Sequence, residues 1–260
     1  MTAPDPAVAG RVVLVTGSSS GAGAQIAREF ARAGAIVAVH CRADTQGGRR
    51  VVEELRSQGH RADLFLADLA RADEARRLAA EVAERLGTIS ILVNNAGPYA
   101  GTPFLELAER DWDAVIAVNL KAPFVLAQAI APAMMRAGWG RIVNLGATSA
   151  LVRSHSVYGL AKAALLHLTE SLALEVAPAV TVNAIVPSQI ASPRTDTMPA
   201  YKSAAIAGTP LGRLVTEEEI ARLALRMCGP DFDFMTGQAI VLDGGRALPR
   251  FPRLDLPPAG

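Results

Sequence analysis

Short apolar runs alternate along the chain with longer segments whose apolar residues recur every three or four positions. Arg11–Thr16 (RVVLVT) predicts a strand, followed by a glycine-rich turn and a helix over about Ala22–Ala33. Ile36–His40, Ala62–Leu66, Ile89–Val93, Arg141–Leu145, Thr181–Val186 and Ala239–Leu242 repeat the strand pattern. Between them Gln46–Gln58, Arg71–Leu86, Trp112–Arg136, Val157–Ala177 and Glu217–Met227 read as helices; Leu78, Val82 and Leu86, for example, share one helical face. Strands apolar on both faces and joined by helices predict a parallel sheet between two helical layers. The seven strand runs thus predict a single α/β domain with a parallel seven-stranded sheet.

No internal repeat or interdomain linker interrupts the pattern. The stretch 187–210 is irregular and rich in Pro, Ser and Thr, and so long a loop either caps a binding site or lacks order. The proline-rich tail 249–260 predicts a surface arm.

Composition narrows the functional classes. Half of the 260 residues are hydrophobic and a fifth are charged, enough for a sizeable core and unlike a disordered chain. A formal net charge of +1 offers no bulk field for nucleic acid, a membrane surface or a polyanion. Two isolated cysteines, Cys41 and Cys228, suggest neither a disulfide framework nor a metal cluster. The apolar uncharged stretch Ala122 to Met135 is shorter than the roughly 20 residues of a membrane span. The N-terminal segment lacks the basic-then-apolar order of a signal peptide. The expectation is a soluble cytoplasmic protein without a metal.

The first strand runs into Thr16-Gly17-Ser18-Ser19-Ser20-Gly21-Ala22-Gly23. Glycines there let the backbone turn sharply and approach a pyrophosphate at the positive end of the next helix. Asn94-Asn95-Ala96-Gly97 follows the fourth strand, Asn119 interrupts the next helix, and Tyr158 and Lys162 stand one turn apart on another. In this order the motifs resemble the short-chain dehydrogenase/reductase family, with its TGxxxGxG, NNAG, helix asparagine and YxxxK. The resemblance spans Arg11 to about Gly245, ending on Thr236-Gly237-Gln238 and Asp243-Gly244-Gly245. It implies a single doubly wound Rossmann domain over 1–260, with its core at 11–245, a substrate lid at 187–210 and an arm at 249–260.

The resemblance assigns Tyr158 as the proton donor to a carbonyl oxygen that receives hydride from nicotinamide on its carbon. A lysine ammonium one turn away favours the phenolate and draws a tyrosine pKa of about 10 toward neutrality. Lys162 would also hold the nicotinamide ribose, and Asn119 would anchor a water; a plain core hydrogen bond is the alternative for Asn119. The family's serine stands thirteen residues before the tyrosine. Here that position is Leu145, and strand alignment places Ala147 where the serine belongs. Ser149 shares Ala147's face of an extended strand and Thr148 does not. Ser149 is therefore the substitute donor if the chain bends after Ala147; otherwise the enzyme is slow or the site has lost catalysis. Ser154, His155 and Ser156 read as ordinary loop polarity.

At the end of the second strand Cys41 occupies the usual acidic position of NAD enzymes, and Arg42 follows. A guanidinium can grip a 2′-phosphate, so NADP(H) is favoured over NAD(H), against Asp44 and the plainer reading of a surface arginine. Asp68-Leu69 matches the family's adenine-contacting pair, although Asp68 would serve equally as a helix N-cap. The remaining contacts implied are Gly17, Ser18, Ser19, Ser20, Gly21, Gly23, Asn94, Asn95, Ala96, Gly97, Pro187, Ile190 and Ser192. Ser188 replaces the usual glycine after Pro187, which would restrict that backbone. Pro98 and Tyr99 would line the substrate pocket with the lid.

The reading is an NADP(H)-dependent ketoreductase or alcohol dehydrogenase for a small-molecule carbonyl, such as a biosynthetic intermediate. The resemblance further implies a homotetramer or homodimer through the two long helices. Two alternatives stay open: a non-catalytic NADP-binding partner or sensor, favoured by Ala147 and Ser188, and a 3-oxoacyl carrier-protein reductase. Against the second, Leu174 stands where such enzymes often carry a carrier-docking arginine.

Overall fold

The computed structural model describes residues 5–152 and 156–248. The first half runs β1 (Val12–Val15), α1 (Gly21–Arg32), β2 (Ile36–Cys41), α2 (Thr45–Ser57), β3 (Ala62–Leu66), α3 (Ala72–Leu86) and β4 (Ile89–Asn94). There follow α4 (Glu109–Ile116), a π-helical turn (Ala117–Lys121), α5 (Ala122–Arg136), β5 (Gly140–Leu145), a 3-10 turn (Thr148–Ala150) and α6 (Val157–Val176). The chain continues through β6 (Val180–Pro187), β7 (Ile190–Ala191), α7 (Pro193–Asp196), α8 (Pro199–Ala207), β8 (Val215–Thr216), α9 (Glu217–Arg226) and β9 (Ala239–Leu242).

Seven strands form one parallel sheet in the order β3-β2-β1-β4-β5-β6-β9. Side chains alternate across it. Val13, Val15, Val37, Val39 and Ile91 pack with Ile26, Phe30 and Ile220 of α1 and α9. Leu14, Ile36, Ala38 and Leu92 pack on the other face with Leu78 of α3 and Leu126 and Met134 of α5. That two-sided burial is why β1 and β2 read as unbroken apolar runs. The strand order reverses between β1 and β4, which opens a crevice at their C-terminal ends, the usual ligand position in such sheets.

Three local expectations change. The stretch 187–210 is ordered into β7, α7 and α8 rather than irregular. Its prolines mark helix starts: Pro193 and Pro199 open α7 and α8, where a missing N–H costs nothing. Ser192 and Thr195 add a reciprocal capping box. The helix expected from Trp112 begins at Glu109, and the π turn sits around Asn119. From Glu109 to Arg136 the helical run is long and apolar enough to cross a membrane by length and composition, yet half of its most apolar window is buried inside the fold. It packs against α3 and α6. Ser154, His155 and the arm at 249–260 lie outside the described residues.

Candidate active site

The turn after β1 is tied from several sides. Gly17 has φ +64, a conformation that favours glycine, and a Cβ on Gly23 would overlap the Gly17 carbonyl. His40, at the end of β2, accepts the Gly17 N–H on Nδ1 (3.1 Å), and its Nε2 lies 3.1 Å from the Ala67 oxygen. Ser18 is fully buried: its hydroxyl donates to Val15 (2.7 Å) and accepts the His40 N–H (3.0 Å). Just after β4, Asn95 Nδ2 donates to the carbonyls of Thr16 and Gly17. Burial lowers the His40 pKa to about 4, so the imidazole is neutral. Sequence reasoning missed His40 because nothing in a strand-terminal histidine marks it as a turn buttress.

Two clefts flank this turn. One, of about 670 Å³, is lined by Gly17, Ser19, Ser20, Arg42, Asp68, Leu69 and Ala96, among others. Arg42 is exposed there, while Asp44 is engaged as the N-cap of α2, accepting the Gly47 N–H at 2.8 Å. Asp68 is not a helix N-cap, since that position belongs to Arg71; its carboxylate accepts the Ala70 N–H at 3.0 Å. The second cleft, about 510 Å³, runs past Gly21, Gly23, Asn95 and Gly97 to Tyr158, Lys162, Pro187, Ile190 and Ser192. The N-cap Ser20 makes no side-chain cap bond, and the first turn of α1 holds no acid. Its backbone N–H groups thus suit a pyrophosphate, and the residues present fit a dinucleotide. Glu217 is the acid on this wall; burial, then Glu218, raise its pKa.

Ser18 and Asn94 do not line either cleft. Asn94 is buried and donates to Asn144 (2.8 Å), which in turn donates to Thr169 (2.9 Å). Both side chains are engaged by the scaffold, so a contact from either residue to a cofactor would come from its backbone. Ser188 also departs from expectation: among the described residues no non-glycine has positive φ, so its backbone is unstrained without glycine.

Tyr158 lines the second cleft and also a third cavity of about 590 Å³, shared with Tyr99, Ala147, Thr148, Ser149, Gln189, Tyr201 and Arg246. Burial first, and Tyr99 second, push its pKa up to about 12. The Lys162 Nζ donates to the Leu145 carbonyl at 2.6 Å and lies 5.6 Å from the Tyr158 ring centroid. Its own pKa falls to about 8 through burial. The expected lowering of the tyrosine by the lysine is not among the causes acting on it here, and the phenol is protonated at neutral pH.

After Ala147 the chain leaves extended geometry for the 3-10 turn, so Thr148 and Ser149 face the same cavity and strand alternation no longer separates them. The Ser149 hydroxyl is buried without a partner. Ser156 caps α6, accepting the Gly159 N–H at 3.1 Å. Asn119 is fully buried in the π turn; Nδ2 donates to Pro98 and Val115, both at 3.0 Å, and Oδ1 has no partner. Such turns recur at functional sites.

Comparisons with known proteins agree with this geometry. The family model described as Enoyl-(Acyl carrier protein) reductase (adh_short_C2) matches residues 17–247. The "(2S)-[(R)-hydroxy(phenyl)methyl]succinyl-CoA dehydrogenase subunit BbsD" of Thauera aromatica is 36% identical over 241 residues, covering 92% of this chain and 97% of that one. A 3-oxoacyl-[acyl-carrier-protein] reductase of Staphylococcus aureus is 34% identical over 236 residues, 89% of this chain and 96% of that one. A crystal structure of a gluconate 5-dehydrogenase from Burkholderia cenocepacia, in complex with NADP and tartrate, superposes with a TM-score of 0.85 at 29% identity. It covers 92% of this chain and 96% of that one. The relatives are dehydrogenases and reductases, which favours an enzyme over a non-catalytic sensor. The chain belongs to the short-chain dehydrogenase/reductase family of NAD(P)-dependent oxidoreductases.

Proposed function

We propose that the protein is an NADP(H)-dependent ketoreductase for a free small-molecule carbonyl. The observation that carries this reading is Tyr158, which lines both the cleft beside the glycine turn and the cavity under α8. When bound, the nicotinamide supplies hydride to the carbonyl carbon. Tyr158, protonated at neutral pH, donates the proton to the oxygen, and Ser149 donates a second hydrogen bond to it in place of the absent serine. Lys162 would hold the ribose, and the unpartnered Asn119 Oδ1 fits the anchoring of a water. Gly17, Ser19, Ser20, Gly21, Gly23, Asn95, Ala96 and Gly97 would cradle the dinucleotide, with Asp68 and Leu69 at the adenine and Pro187, Ile190 and Ser192 at the nicotinamide end.

Arg42 supports NADP(H) over NAD(H): no carboxylate among the described residues pairs with it, and Asp44 is engaged elsewhere. The neighbouring gluconate 5-dehydrogenase structure holds NADP. Leu174, 86% exposed, offers no charge to an acidic carrier protein, which supports a free substrate. Leu174 shares an exposed α6 stripe with Leu160 and His167, and Phe124 is exposed on α5; these faces suit assembly as a homodimer or homotetramer. Cys41 and Cys228 are free and buried, in keeping with a cytoplasmic setting.

The test is NADPH oxidation at 340 nm over a panel of ketones, with Tyr158→Phe as the control. Turnover that requires Tyr158 supports the reading; equal rates in the parent and the variant refute it.

A further inference from the structure

The cavity beyond Tyr158 has an unbalanced charge. Among the described residues its lining holds Arg246 and no carboxylate. Arg246 is half-buried, and no Asp or Glu among the described residues lies within ion-pair distance of it. Taking a guanidinium partly out of water without a counter-ion is unfavourable, so the arrangement calls for an anion.

The guanidinium is also aimed. Asp243 accepts the N–H of Gly245 (2.8 Å) and of Ala247 (2.6 Å), fixing the turn that carries Arg246. Gly244 and Gly245 supply the positive φ values, +62° and +85°, that this turn needs. Nη1 donates to the Ala205 carbonyl of α8 at 2.7 Å. A Cβ on Gly208, just after α8, would overlap Nη1, so the glycine leaves the space that the guanidinium occupies. On the same cavity wall, Ser149 Oγ and Gln189 Oε1 are buried polar atoms without a partner. Such groups carry a desolvation cost that a bound polar molecule removes.

We propose that the substrate is a small oxo acid whose free carboxylate is bound by Arg246 while its ketone lies between Tyr158 and Ser149. A single planar guanidinium matches one carboxylate with two parallel hydrogen bonds. Gln189 faces a hydroxyl or N–H on the same molecule. In the reduction, the C=O carbon gains hydride from NADPH and the oxygen gains the Tyr158 proton, giving a hydroxy acid and NADP⁺; solvent restores the phenol proton. This assignment rests on the ketoreductase reading and names its substrate class.

The experiment has two arms. In the first, straight-chain 2-, 3- and 4-oxo acids of four to eight carbons are compared with their methyl esters using NADPH. The parent should favour the best acid over its ester by about 10- to 100-fold in kcat/KM, as a charge-assisted contact suggests. Arg246→Met should collapse that ratio toward one through KM, and Arg246→Lys should restore part of it. Gly208→Ala, which displaces the guanidinium without removing it, should also lower the ratio. In the second arm, calorimetry with the matching hydroxy acids and NADP⁺ reads binding without turnover, and binding should weaken about 10-fold or more in Arg246→Met. An acid-to-ester ratio unchanged in Arg246→Met, preference for esters or phosphorylated ketones, or no Arg246-dependent binding by any hydroxy acid would each overturn the proposal. Arg246-dependent binding with no reduction of any acid, ester or neutral ketone would instead sink the ketoreductase reading and leave the anion site standing.

Discussion

The two ends of the crevice are finished to different degrees. Around the glycine turn Ser18, His40, Thr16 and Asn95 close a ring of hydrogen bonds that ties together the ends of β1, β2 and β4. At the carbonyl end, Asn119 Oδ1, Ser149 Oγ and Gln189 Oε1 are buried without one. A dinucleotide presents the same pyrophosphate every time, so backbone geometry can be settled in advance. The groups that meet a substrate must instead keep hydrogen-bonding capacity free, at a desolvation cost of about 1–3 kcal/mol each. Burial alone does not draw this distinction, because Ser18 and Asn119 are equally buried and only Asn119 has an unpartnered polar atom; Asn94, whose buried Oδ1 also has no partner, is the exception on the scaffold side.

Breaking the carbonyl end should have the larger effects. Tyr158→Phe removes the proposed proton donor and nothing else of comparable size; turnover should fall by about 10²–10⁴-fold with NADPH affinity nearly unchanged, as read by steady-state rates and fluorescence titration. Ser149→Ala should lower kcat by about 10²-fold or more, the cost of one donor to a developing oxyanion, and the parent should need no Ala147→Ser change for activity. A silent Ser149→Ala would transfer that role to Thr148, which faces the same cavity.

On the cofactor end the expected effect is smaller and selective. Arg42→Ala should weaken NADPH by about 1.5–3 kcal/mol and leave NADH almost untouched, since only the phosphorylated form carries the charge. Equal losses for the two cofactors, measured by calorimetry, would return Arg42 to an ordinary surface residue.

The same contrast explains what could be read without coordinates. The seven strands and their flanking helices were legible because two-sided burial leaves unbroken apolar runs, as in Val12–Val15 and Ile36–Cys41. Tyr158 and Lys162 were legible as a spaced pair whose helix places them together. Strand β7 and strand β8 were not, because two residues carry no period. Pro193 and Pro199 looked like loop signals until seen at helix starts. The inward side chains of Ser18 and Asn94 were not legible, because a motif marks which residues gather at a turn, not which way each side chain points. Arg246 was missed for the converse reason: it is remote in sequence from every other residue of the cavity except Ala247 and reaches it only through the turn after β9.

The subtlest test concerns the finished end. His40 is neutral in the fold because burial lowers its pKa to about 4, against an ordinary value near 6.5. Below pH 6.5 the unfolded chain therefore takes up a proton that the folded chain refuses until about pH 4. Stability attributable to this group is fully present above pH 6.5 and is lost as pH falls toward 4, by up to about 3 kcal/mol. Protonation would also remove the Nδ1 acceptor of the Gly17 N–H and so loosen the turn proposed to hold the pyrophosphate. His40→Gln, which cannot titrate, should be less stable than the parent at pH 7 yet lose less on acidification, giving a shallower Tm-against-pH slope between pH 7 and 4.5. Its NADPH affinity should be lower at pH 7 and change less with pH than the parent's. Parallel slopes for parent and variant would mean that acid lability arises elsewhere, and that the glycine turn holds its shape without the imidazole.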